Sequence, residues 1–210
     1  MDVINVALAK GRLAQSTVAL FEQAHLDVQC LQDDSRKLVL ENERFRFFLV
    51  KPTDVPVYVE HGVADLGVCG KDTLLEQDAD VYEMLDLGFG ACKLCLAGYP
   101  GTDPHQSGTH VATKYERFAQ RYFRDCGESV EIIHLSGSVE LGPITGLSDI
   151  ILDIVESGRT LRENGLVVLQ EICDISARLC VNRVSLKLKA QAIGTVLERL
   201  RRVLEEGKRI

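Results

Sequence analysis

In the apolar run SDIILDIVESGRTLRENGL, a carboxylate, Asp153, is followed by Glu156, Ser157, Gly158, Arg159 and Thr160. These residue types at this spacing can do one particular kind of chemistry. If a helix starts after the strand, its first amide N–H groups have no partner within the helix and carry positive partial charge. The hydroxyls of Ser157 and Thr160 add donors, and Gly158 lets an anion come close to the backbone. That is a phosphate cradle. Asp153 would repel a phosphate. It can instead accept hydrogen bonds from sugar hydroxyls or help hold Mg²⁺. Hydroxyls beside a phosphate point to a ribose phosphate. A second reading of the same residues stays open: Thr160 and Glu163 have the spacing of a capping box, a purely structural helix start.

Whatever the loop does, a scaffold of alternating strands and helices must hold it. DVINVALA is strand-like and meets a glycine turn, KGR; LAQSTVALFEQAHL has helical spacing. RFRFFLVKP reads as a strand halted by Pro52, VPVYVEHG as a short helix, ADLGVCG as a buried strand and KDTLLEQ as a helix start. This rhythm predicts an α/β fold with mostly parallel sheet. A second series begins near CKLCLAGYP, and SDIILDIV within it is the strand that leads to the cradle. The tail is expected to return as a strand, VNRVSLKLK, and to end on an amphipathic helix striped by Ile193, Val196, Leu197, Leu200 and Leu204. The expected organisation is two α/β lobes with a cleft between them: residues 1–91 plus 179–210 in the first, and 92–178, carrying the loop, in the second.

Composition narrows the function classes. The 210 residues include 46% hydrophobic side chains, and 31 acids against 24 bases give a net charge of −7. A chain-wide nucleic-acid surface is not expected from that balance. No apolar run approaches the ~20 residues that span a bilayer, and the N-terminus lacks the layout of an export signal. Seven scattered cysteines read as reduced thiols, so a cytoplasmic setting is expected. Cys92 and Cys95 in CKLC stand on opposite faces of a strand-like run and no second CxxC follows, so neither metal nor redox chemistry is expected there. His25, His61, His105, His110 and His134 show no ligand spacing, and no metal ligand is assigned to the protein.

Five segments together resemble the ATP phosphoribosyltransferase family: ALAKGRLAQ, DDSRKLVLE, VKPTDVPVYVEHGVADLGVCGKDTLLE, SGSVELGPITGLSDIILDIV and the overlapping DIILDIVESGRTLRENGL. Each is weak alone; their order and joint presence are specific. The resemblance implies the first reaction of histidine biosynthesis. Adenine N1 of ATP attacks C1′ of phosphoribosyl pyrophosphate (PRPP), pyrophosphate leaves, and Mg²⁺ assists. Adenine N1 is already an unprotonated nucleophile, so no strong general base is needed; charge stabilisation and alignment carry the rate. Carried over by residue, Asp153, Glu156, Ser157, Gly158, Arg159 and Thr160 would bind PRPP. Lys10, Arg36 and Lys51 would be catalytic anion contacts. Gly11, Arg12, Gly70 and Asp72 would bind ATP. The family carries arginine more often where Lys51 stands, and lysine keeps the charge but loses the bidentate fork.

The resemblance also implies an architecture similar to two-lobed periplasmic binding proteins. Long forms of the family add a C-terminal regulatory domain. A chain ending at Ile210 is expected to be the short form, a homodimer within a hetero-oligomer that includes a regulatory subunit similar to histidyl-tRNA synthetase. The rival reading is a two-lobed small-molecule-binding protein without catalysis, because fold alone does not separate the two.

Overall fold

The computed structural model describes residues 3–32 and 37–207; Arg36, expected among the anion contacts, lies outside the described residues. The chain divides into two units, Met1–Gly90 with Ser176–Ile210, and Ala91–Ile175.

The first unit is organised by β1 (Ile4–Ala9). Val6 and Leu8 point into one core cluster, and Ala7 and Ala9 into another on the opposite face. Burial on both faces is what a central strand of a covered parallel sheet requires. The chain continues through α1 (Arg12–Gln23), β2 (Val39–Glu41), β3 (Phe45–Val50), α2 (Val55–Glu60), β4 (Leu66–Gly70), α3 (Lys71–Gln77) and β5 (Tyr82–Asp86). The small Ala7 and Ala9 leave room for α2, whose Val55 and Val59 are fully buried against them.

The second unit follows as β6 (Cys92–Gly98), β7 (His110–Thr113), α4 (Glu116–Asp125), β8 (Glu131–His134), α5 (Leu141–Thr145), β9 (Ile150–Val155), α6 (Arg159–Glu163) and β10 (Val167–Ile175). Its sheet runs β10-β6-β9-β7-β8. The chain then re-enters the first unit as β11 (Ala177–Val181), α7 (Ser185–Leu188) and α8 (Ala190–Gly207), completing the order β2-β3-β1-β4-β11-β5. The apolar stripe of α8, Ile193, Val196, Leu197 and Leu200, joins the same core cluster as Val6 and Leu8.

Two expectations are corrected. Both sheets are mixed rather than mostly parallel. β1 is parallel to β3 and β4, and β7 to β8 and β9, but β2, β5, β6, β10 and β11 all pair antiparallel. The re-entrant β11 and the pairing of β10 with β6 account for most of this. The tail strand is ARLCV, not VNRVSLKLK. The Asn182 side-chain oxygen accepts the Val184 and Ser185 amides, at 3.0 and 2.8 Å, and turns the chain into α7. Its amide group donates to Val59 O at 2.8 Å, which fixes that turn on the end of α2.

Candidate active site

In each unit, the parallel strands deliver the expected residues to one edge of a sheet. In the first unit Ala9 lies opposite Val50, and the Lys10 amide donates to Val50 O at 3.1 Å. Lys10 and Lys51 are therefore neighbours, each the first residue beyond its strand. The register of β1 with β4, Leu8 opposite Val68, continued by two residues brings Gly70 level with Lys10. Gly11 has φ 97°, a conformation that favours glycine, and no other residue would meet a Cβ there. Lys10, Gly11, Arg12 and Lys51 are all exposed. Asp72 stands in the first turn of α3, where its charge also complements the helix N-terminus. Asp65 plays a different part. It is buried, and Oδ2 accepts the Asn5 amide at 2.8 Å and faces Lys189 Nζ at 2.7 Å, at the start of β4 rather than its end. That carboxylate ties the tail of the chain to the sheet.

In the second unit Asp153 lies on β9, opposite Cys95 of β6, and the chain leaves the strand through Glu156 and Ser157. Gly158 has φ 66° and reverses the chain into α6, which starts at Arg159 with no side-chain cap. The capping-box reading is thereby corrected. Glu163 pairs with Arg159 Nε at 2.7 Å, and Asn164 donates to Thr160 O at 2.8 Å. Thr160 sits one residue inside the helix, past the capping position, and is exposed with Glu156, Ser157 and Arg159. Arg162 donates to Ser157 O at 2.9 Å and braces the bend from behind.

The sequence reading missed Lys114, which follows β7. Because β7 runs parallel to β9 with Thr113 opposite Leu152, Lys114 comes level with Asp153, and its Nζ stands 3.8 Å from Asp153 Oδ1. Thr113, fully buried, donates its hydroxyl to Leu152 O at 2.7 Å and locks that register. The loop after β8 contributes Ser138, at φ 48°, followed by Glu140 at the start of α5. Asp149, at the opposite end of β9, accepts the His110 amide at 2.8 Å; that bond holds its carboxyl below the usual range and marks a structural role.

Among the described residues no group of three or more His, Cys, Asp or Glu side chains is placed to hold a metal ion. All seven cysteines are free thiols. Cys92 is partly buried and Cys95 buried, and burial pushes the Cys95 thiol up to about 11, so that side chain stays a protonated thiol at neutral pH. No helix among the described residues is long and apolar enough to cross a membrane.

The pattern that defines the family described as HisG: ATP phosphoribosyltransferase matches residues 51–202. An ATP phosphoribosyltransferase of Caldanaerobacter subterraneus subsp. tengcongensis is 53% identical over 210 residues, 99% of this chain and 100% of that protein. Among solved structures, the ATP phosphoribosyl transferase (HisG:HisZ) complex from Thermotoga maritima superposes with TM-score 0.86 at 37% identity, covering 97% of this chain and 100% of that one. The periplasmic aliphatic sulphonate binding protein SsuA from Escherichia coli covers 100% of this chain and 75% of its own at 14% identity and TM-score 0.59, a likeness of fold alone.

Proposed function

The chain belongs to the ATP phosphoribosyltransferase family, the enzymes of the first step of histidine biosynthesis, and from that premise we propose how its residues divide the work. Asp153 accepts hydrogen bonds from the ribose hydroxyls of PRPP. The Ser157 and Thr160 hydroxyls and the amides around Gly158 hold the 5′-phosphate, while Glu156 and Arg159 border it. Lys10, Arg12 and Lys51 offer cationic groups to phosphoryl oxygens, Arg36 joins them on the family resemblance, and Gly11, Gly70 and Asp72 form the ATP side. The observation that carries this reading is the exposed hydroxyl of Thr160. The fold does not use it as a cap, and it stands two residues past the left-handed Gly158, at the start of α6, after the strand bearing Asp153.

No general base is required of the protein, since adenine N1 attacks C1′ as a neutral nitrogen. The protein aligns the two substrates and opposes the charge that grows on the departing pyrophosphate. The family generally depends on Mg²⁺. With no cluster of acidic ligands among the described residues, the ion fits best as one carried by the substrates' phosphates, keeping its waters, with at most one or two carboxylates from the protein. When bound, it neutralises phosphate charge. On the family resemblance the chain works as a homodimer within a hetero-oligomer that includes a regulatory subunit similar to histidyl-tRNA synthetase, and its solved neighbour from Thermotoga maritima is itself a HisG:HisZ complex. A cytoplasmic location fits a biosynthetic enzyme with free thiols. The test is to incubate the purified chain with ATP, PRPP, Mg²⁺ and pyrophosphatase and follow phosphoribosyl-ATP by ultraviolet absorbance. Failure to form product, with and without the regulatory subunit, overturns the assignment.

A further inference from the structure

We infer that Lys114 is a catalytic residue of this site, and that its ammonium group contacts the diphosphate of PRPP as it leaves. The inference rests on the proposed placing of the ribose at Asp153. Lys114 Nζ lies 3.8 Å from Asp153 Oδ1, longer than a hydrogen bond. The register of β7 with β9 sets this separation through backbone pairing and the Thr113 hydroxyl. Nζ also stands 4.8 Å from the ring centre of Tyr115, which is buried, so the ammonium has a second attraction on the same side. Carboxylate and ammonium are thus held close, yet far enough apart for each to bond a third group.

The stereochemistry of the substrate says what that group is. In PRPP the diphosphate leaves C1 on the same face of the ribose ring as the 2- and 3-hydroxyls. A carboxylate that accepts from those hydroxyls repels the neighbouring diphosphate. A cation directly beside the carboxylate cancels that repulsion and meets the phosphoryl oxygen nearest C1. As the C1–O bond breaks, the electron pair goes to that oxygen, and an ammonium already in place gains attraction as the charge grows. A lysine fulfils this role without giving up its proton. Other nearby cations are already engaged: Lys93 pairs with Glu171 across β6 and β10, and Arg162 bonds Ser157 O.

The experiment compares the whole chain with K114Q and K114R, titrating ribose 5-phosphate and magnesium pyrophosphate separately and measuring kcat and KM for PRPP. K114Q is expected to weaken magnesium pyrophosphate and to lower kcat/KM by about 10- to 100-fold, the loss of one charge-assisted hydrogen bond. Ribose 5-phosphate, which lacks the diphosphate, should bind as before, and K114R should recover most of the loss. Equal weakening of both ligands would reduce Lys114 to a residue that merely positions Asp153 and overturns the inference, as does no change in either. D153N and T160A serve as the control for the underlying site: if neither disturbs ribose 5-phosphate, it is the placing of the ribose that has failed, not the role of Lys114.

Discussion

Thr160 shows how much one side chain decides. Its spacing to Glu163 satisfies a capping box, and its sequence context satisfies a phosphate cradle; the fold separates them by starting α6 at Arg159 and spending Glu163 on an ion pair. Replacing Thr160 by alanine should leave the helix intact and raise KM for PRPP about tenfold, the loss of a hydrogen bond to a charged group. Asp153→Asn should cost more, because a donor replaces half of an acceptor beside the Lys114 ammonium. Steady-state kinetics with varied PRPP checks both, and unaltered saturation in both variants would refute the assignment. The candidate cradle could be proposed from the sequence because its residues are contiguous, so their chemistry can be read without knowing the fold. Lys114 was not, because it meets Asp153 only through the pairing of β7 with β9. Nothing local to VATKY announces a partner so distant along the chain.

At the scale of elements, close packing sets the tolerances. A Cβ on Gly67 of β4 would lie 2.6 Å from Val59 Cγ2 and 2.8 Å from Val55 Cγ1, both on α2. Gly67→Ala should therefore destabilise the chain by about 1–3 kcal/mol, as overpacking of a filled core does, and thermal melting should reveal it. The second unit has a pH-sensitive joint. His105, between α4 and the edge strand β10, lies 2.8 Å from a Glu128 oxygen and also bonds Gln170. The Glu128 hydrogen bond, ahead of that from Gln170, raises its pKa above the ordinary value. A raised folded-state pKa contributes stability that is fully present below the unfolded value, about 6.5, and is lost as pH rises through the folded one. The melting temperature of the native chain should thus exceed that of His105→Asn by more at about pH 5.5 than at about pH 8.5; a gap that is flat or widens with pH would refute this. Elements of strong periodicity, β1, β9 and α8, were readable from sequence. The tail was not: alternation in VNRVSLKLK mimics a strand, and only the two-sided bonding of Asn182 explains why the chain turns instead.

The whole molecule is crossed only twice between its units, at Gly90–Ala91 and at Ile175–Ser176. The alternation of strands and helices made two α/β units readable, but mixed sheets were not foreseen, because antiparallel partners such as β6 and β10 are set by how the chain leaves and re-enters a unit. The two crossings are adjacent: Cys92, the first residue of β6, is paired with Ile175, the last of β10. The second unit is thus an insertion whose ends are hydrogen-bonded neighbours, with its own sheet and a buried cluster of Ala97, Ala112, Val139, Ile151, Leu161 and Leu166. Closing an insertion at such a point costs little chain entropy, so the insertion should not depend on the rest for its stability. A fragment of residues 91–175 is expected to fold cooperatively by itself, giving a sigmoidal urea transition by circular dichroism. Since the loop at 156–160 and Asp153 both lie within it, the fragment should also bind ribose 5-phosphate, and T160A within the fragment should weaken that binding as it does in the intact chain. A fragment that folds but shows no affinity would mean that residues of the first unit are needed to hold the phosphate. A gradual, non-cooperative melt would show instead that the sheet of the second unit depends on the first for its stability.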